Sequence, residues 1–106
     1  MRIGCDLVDS SRLVSPSPSF LSGVLSPKEK EEYDTRANKA EFLAGHYAAK
    51  EAFVKATGVG LSLAPLNKIM VLYEKSGAPY IHFEDKDYPC SISHDGGYAM
   101  GVVIIP

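Results

Sequence analysis

Cysteine is scarce in this chain: Cys5 and Cys90 are the only two among 106 residues, and neither belongs to a C-x-x-C pair. A disulfide framework needs more, and the Cys90/His94 spacing has no second pair to complete a structural zinc site, so both thiols read as reduced core residues. Charge of one sign is also lacking. Lys plus Arg number 11 against 13 Asp plus Glu, a net charge of -2, which leaves no global basic field for nucleic acid. No apolar run approaches the ~20 residues that span a bilayer, and no basic N-terminus precedes an apolar leader core. These absences point to a cytoplasmic protein with neither membrane nor nucleic acid as partner. The length, with 45% hydrophobic residues, fits one domain over 1–106. A domain of this size buries roughly two thirds of its unfolded surface, too little for a deep private cleft, so a large ligand calls for a neighbouring subunit.

Residues 2–8 alternate, with Ile3, Cys5 and Leu7 on one face and Gly4, Asp6 and Val8 on the other, as in a strand. The Ser-Pro stretch 15–19 reads as a loop or helix break. Ser26, Pro27 and Glu29 signal the start of a short, exposed helix ending near Asp34. From about Asn38 to Thr57 the chain lacks proline and ends at Gly58, which predicts a long central helix with an apolar stripe through Phe42, Gly45, Ala49, Phe53 and Ala56. Beyond a Gly58-Val59-Gly60 turn and a loop through Pro65, strands are predicted at 68–74 and 79–84, joined by 75–78, and at 89–94 and 97–105, joined by an Asp-Gly-Gly turn. A strand, then helices, then four strands gives an α+β fold, a mainly antiparallel sheet packed on the long helix.

Asp6 is the first chemical oddity, because a carboxylate in an apolar strand must be exposed, paired or bound to a cation. Glu51 could complete a site with it, since Mg²⁺ is commonly held by one or two carboxylates plus phosphate oxygens. Alternatively Glu51 forms an i,i+4 pair with Lys55 on a solvated helix face. Tyr47, Glu51 and Lys55 fall in one row of the helix, and His46 and Lys50 in another. That mixture of acids and cations suits a magnesium-diphosphate ligand. His94 lies at a strand end before a Gly-rich turn, placed either for a ligand or for the turn itself. Ser93, His94 and Asp95 are consecutive in a strand and point to alternate faces, so they cannot form a nucleophilic triad.

The segments 3–8 (IGCDLV), 41–56 (EFLAGHYAAKEAFVKA) and 91–95 (SISHD) together resemble the short-chain branch of the 4′-phosphopantetheinyl transferases, the holo-acyl-carrier-protein synthases. The resemblance spans nearly the whole chain. It implies transfer of the 4′-phosphopantetheine arm of coenzyme A to a serine of apo acyl carrier protein, as in fatty acid biosynthesis, with release of adenosine 3′,5′-bisphosphate. It implies Mg²⁺ on Asp6 and Glu51, and catalytic roles for these two and for His94. It places His46, Lys50, Lys55, Pro79, His94 and Asp95 against coenzyme A, with Lys55 the more direct phosphate contact than Lys50 and His94 near the 3′-phosphate. Arg12 is matched to carrier-protein docking. Glu51, a metal-bound water or Asp95 could each serve as general base. The resemblance also implies a homotrimer with active sites at subunit contacts. The alternative is a catalytically silent carrier-protein or nucleotide-binding module of the same fold. Two departures stand out: His46 occupies a position where arginine is usual, which makes its charge dependent on pH, and Arg12 is followed by the Ser-Pro stretch rather than further basic residues.

Overall fold

The computed structural model describes residues 1–58 and 64–106; Val59 and Gly60 of the expected turn lie outside the described residues. Strand β1 (Arg2–Asp9) leads through a 3-10 turn, Ser10–Leu13, into helices α1 (Pro18–Val24), α2 (Pro27–Thr35) and α3 (Lys39–Thr57). A second 3-10 turn, Leu66–Lys68, precedes β2 (Met70–Tyr73), β3 (Pro79–Phe83), β4 (Lys86–Asp95) and β5 (Tyr98–Ile105). The strands form one sheet in the order β1-β5-β4-β3-β2, every neighbouring pair antiparallel. The α+β class expected from the sequence therefore holds.

Local chemistry explains where elements start and stop. The Ser-Pro stretch is not simply a break. Ser17 caps α1 by accepting from the Phe20 N–H, and Pro18 occupies the first helical position, where a missing N–H costs nothing. Ser26 and Glu29 form a reciprocal capping box on α2. Asn38 caps α3, and Gly58 ends it at φ 80° while its N–H donates to Val54 and Lys55 carbonyls. β4 starts earlier than position 89 because Glu84 and Asp85, both at positive φ (50° and 63°), close β3 to β4 in a two-residue turn.

Helix α3 lies across the inner face of β1 and β5 at unusually close range. A Cβ on Gly4 would fall within the Ala52 carbonyl oxygen, and one on Gly101 would sit 2.6 Å from the Ala49 nitrogen. The alanines 48, 49, 52 and 56, all buried, supply the helix side of this seam. One apolar cluster joins α1 and α2 to the first half of α3 through Val24, Leu25, Tyr33 and Phe42. A second joins its later half to β2, β3 and β5 through Phe53, Val71, Ile81 and Val103.

Among the described residues no helix covers the outer face of β1 and β5, where Ile3 and Leu7 are 62% and 63% exposed and Met100 is 39% exposed. Cys5 shares that face and is exposed, so it is not a core residue as expected; its strand phase is the one that faces away from α3. Helix α2 is also less exposed than predicted, because Glu29 and Tyr33 are buried.

The seam predicts opposite outcomes for two glycines. Gly4→Ala should lower unfolding free energy by about 3 kcal/mol through overpacking. Gly23→Ala in α1, where an added Cβ meets nothing within 4 Å, should raise it by about 0.5–1 kcal/mol. Urea midpoints distinguish the two, and an unchanged midpoint for Gly4→Ala would show that helix and sheet are not locked.

Candidate active site

Asp6 pairs across the sheet with Gly101, so its carboxylate emerges where the helix comes closest. It is 8% exposed and faces α3, not solvent. Lys55 Nζ donates to Asp6 Oδ1 at 2.8 Å and to the Cys5 carbonyl at 3.2 Å. Asp6 Oδ2 is buried and finds no hydrogen-bond partner among the described residues. Glu51 adjoins it on the same row of α3 as Tyr47 and Lys55, one helical turn apart each way. Burial first, and then the neighbouring Asp6 carboxyl, push the Glu51 carboxyl up, against the pull of Tyr47 and Lys55. Burial and the hydrogen bond to Glu51 push the Tyr47 phenol up to about 12, so it stays a donor. The hydrogen bond to Asp6 raises Lys55, whose charged end remains well exposed.

Two adjoining carboxylates with one buried oxygen lacking a partner suit a cation. Among the described residues no group of three or more His, Cys, Asp or Glu could hold a metal. The donor set therefore fits a hard ion that takes two protein carboxylates and completes its shell with substrate oxygens and water, as Mg²⁺ does, rather than an ion caged by protein alone. A hollow of about 390 Å³ beside Glu51 and Tyr47 is lined also by Arg12, Leu13, Pro16 and Phe20.

Other expected residues gather elsewhere. His46, Pro79 and His94 line a second cavity of about 440 Å³ with Arg36, Phe42 and Tyr73. Gly45 makes room for it, since a Cβ there would lie 2.9 Å from His94 Nε2. His94 Nε2 lies 3.2 Å from the Glu41 carbonyl oxygen. Asp95 borders an adjoining hollow with Ser10, Gly97 and His94.

Lys50 does not reach any of these cavities. Its side chain is fully buried, and Nζ donates to Glu29 Oε1 at 2.6 Å and to the Val24 carbonyl at 2.5 Å. The reading of Lys50 as a coenzyme A contact is therefore corrected: its charge is spent inside the protein. His46 is only partly as expected. It borders the cavity but is 1% exposed, with Nδ1 2.7 Å from Glu29 Oε2 and Nε2 3.0 Å from the Tyr73 hydroxyl. Glu29 is the residue sequence reasoning missed. It reads there as a helix-capping acid, yet it also accepts from the Val71 N–H and ties α2 to α3 and β2. Burial alone would push its carboxyl up, but His46, Lys50 and the Ser26 N–H hold it down at about 2. Burial lowers Lys50, partly offset by Glu29.

A family model for the 4′-phosphopantetheinyl transferase superfamily matches residues 2–103. The holo-[acyl-carrier-protein] synthase of Enterococcus faecalis is 45% identical over 84 residues, covering 74% of this chain and 72% of the relative. That of Staphylococcus saprophyticus is 37% identical over 97% of this chain and 95% of its own. The structure of the Helicobacter pylori synthase in complex with coenzyme A superposes with a TM-score of 0.82, at 31% identity over 98% of this chain and 99% of that one.

The buried cluster sets an acid limit. Because the folded Glu29 value, about 2, lies below its ordinary 4.5, its contribution is complete above about pH 5 and is lost as pH falls towards 2. Glu29→Gln should cost about 3–5 kcal/mol at pH 7 by stranding Lys50, and its stability should fall less steeply than the parent's below pH 5. Chemical denaturation from pH 7 to 3 tests this; parallel curves would remove Glu29 as the source.

Proposed function

Since the chain belongs to the 4′-phosphopantetheinyl transferase superfamily, in its holo-[acyl-carrier-protein] synthase branch, we propose that it moves the 4′-phosphopantetheine arm of coenzyme A onto a serine of apo acyl carrier protein with Asp6 and Glu51 holding Mg²⁺. The observation that carries the metal assignment is the adjoining carboxylate pair with Asp6 Oδ2 unpartnered. When bound there, Mg²⁺ would neutralise charge on the diphosphate and on the departing bisphosphate. Lys55 holds Asp6 Oδ1 and presents its exposed ammonium beside the pair, where the attacked phosphate's oxygens need positive charge. Tyr47, one turn before Glu51 on the same row of α3, keeps its proton and can donate to that carboxylate. Arg12, on the wall of the same hollow, is the docking contact for an acidic carrier helix. A catalytically silent module is not favoured, because it leaves the carboxylate pair and its lysine without a purpose.

Glu51 and His46 lie five residues apart, about 140° around the helix. One chain therefore presents the carboxylate pair and the cavity of Pro79 and His94 on different sides. We take the working unit to be a homotrimer in which the pair of one copy faces the cavity of the next, and in which the adenosine end of coenzyme A lies by Pro79, His94 and Asp95. The uncovered apolar face of β1 and β5 supports such an assembly. An exposed thiol at Cys5 suits the reducing cytoplasm, and no described helix is long and apolar enough to cross a membrane. The whole of 1–106 then acts as a single transferase domain of fatty acid biosynthesis.

Incubation with coenzyme A, Mg²⁺ and apo carrier protein should add the arm to the carrier by mass spectrometry. Asp6→Asn should lower the rate by about a hundredfold or more, and chelator should abolish it. No transfer by the parent, or indifference to chelator and to Asp6→Asn, would overturn the reading. Sedimentation should give three times the 11.5 kDa chain mass, and Ile3→Glu should yield monomers without transfer activity; an active Ile3→Glu monomer would refute the shared site.

A further inference from the structure

Each acid of the carboxylate pair has two oxygens, and the protein engages one on each from behind. Asp6 Oδ1 accepts from the Lys55 ammonium at 2.8 Å, and the Cys5 carbonyl oxygen, at 3.2 Å, steadies that ammonium. Asp6 Oδ2 is buried and has no hydrogen-bond partner among the described residues. Lys55 therefore leaves Asp6 a single open oxygen. On α3 the Tyr47 hydroxyl keeps its proton and stands one turn before Glu51, placed to donate to one oxygen of that carboxylate. The Tyr47 ring is held in turn by Phe20 of α1, which meets it edge-on at 5.4 Å between ring centres. Both rings line the hollow that Glu51 borders. Glu51 is then also left with one open oxygen.

The number of open oxygens decides which cation fits. Ca²⁺ gathers about six to eight oxygens and often takes both from one carboxylate, whereas Mg²⁺ demands near-octahedral geometry, uses one or two carboxylates and keeps several waters. A carboxylate with one oxygen already hydrogen-bonded cannot turn both towards a metal without giving up that bond. We propose that Lys55 and Tyr47 set the metal specificity of the site, each holding back one carboxylate oxygen, so that Asp6 and Glu51 bind through one oxygen apiece and favour Mg²⁺ over Ca²⁺. The inference rests on Asp6 and Glu51 being the metal pair. Charge alone does not give this discrimination, because the Lys55 ammonium repels every divalent ion alike. The oxygens it and Tyr47 withhold are what separate the two ions. Lys55 and Tyr47 are thus positioning residues that act on the metal through its ligands, the usual role of groups that hydrogen-bond a ligating carboxylate.

The test is a competition read without turnover. Mn²⁺ is bound to the full-length protein, and its displacement by Mg²⁺ and, in parallel, by Ca²⁺ is followed through the electron paramagnetic resonance of free Mn²⁺. The parent should release Mn²⁺ to Mg²⁺ at lower concentration than to Ca²⁺. Tyr47→Phe keeps the ring and its Phe20 contact but frees the second Glu51 oxygen. It should shift the ratio of Ca²⁺ to Mg²⁺ midpoints about tenfold towards Ca²⁺, the scale on which outer partners of metal ligands act. Lys55→Met, which frees Asp6 Oδ1, should shift the ratio in the same direction. Because both ions are read on the same folded molecules, partial loss of folding leaves the ratio unchanged. An unchanged ratio in both variants, or equal weakening of both ions, would overturn the proposal while leaving the metal pair intact. Failure of the parent to bind Mn²⁺, or binding that Asp6→Asn does not disturb, would sink the metal pair itself and the proposal with it.

Discussion

The seating of α3 directly on the backbone of β1 and β5 is the contact from which the candidate site follows. Helices packed through large side chains stand about 8–10 Å from their partners. Here Gly4 and Gly101 face the alanines 48, 49 and 52 with no side chain between. Asp6 is two residues from Gly4 on the same strand face and is the cross-strand partner of Gly101. It thus emerges at the narrowest point, and a short aspartate can reach the Glu51 and Lys55 row. With larger residues at 4 or 101 the two carboxylates would separate, and the buried, unpartnered Asp6 oxygen would reach solvent. The seam is therefore a condition of the chemistry as well as of stability.

The same helix carries a second polar system on another side. Glu29, His46 and Lys50 form a buried cluster that costs desolvation and adds little net stability against an apolar equivalent. What it contributes is position. Each Glu29 oxygen accepts from more than one element, so α2 can take only one setting against α3 and β2. Arg36 leaves α2 at its far end, which makes the placement of the cavity's fixed cation depend on that setting. The near-neutral charge of the whole chain hides this division between cations turned inward, as at Lys50, and cations left exposed, as at Lys55.

Much of this was legible in the sequence, and the failures have a common cause. Strand phase separated Gly4, Asp6 and Val8 from Ile3, Cys5 and Leu7 correctly, because a period of two admits only two faces. It did not say which face meets the helix, so Cys5 was misplaced and Asp6 left undecided. Helical rows of Tyr47, Glu51 and Lys55, and of His46 and Lys50, were likewise real. Nothing in their spacing told which row was covered, since α3 is enclosed by the sheet on one side and by α1 and α2 on another. A buried lysine is predictable only once its acid is known, and Glu29 lies 21 residues away, disguised as a capping acid. The Ser-Pro stretch does break the chain at 15–17 as expected, but proline suits a helix's first turn, so with Ser17 as cap a new helix already starts at Pro18.

The outer sheet face completes the argument about size. The chain covers one face of its sheet with helices and leaves Ile3, Leu7 and Met100 exposed together on the other, the kind of apolar patch that suits an interaction surface. Burying it between copies would also bring together what α3 separates, since its carboxylate row and its cavity wall diverge around the helix axis and cannot converge within one subunit. In the proposed homotrimer α3 would act as a rigid divider with half of a pocket on each side, and symmetry would supply the other half.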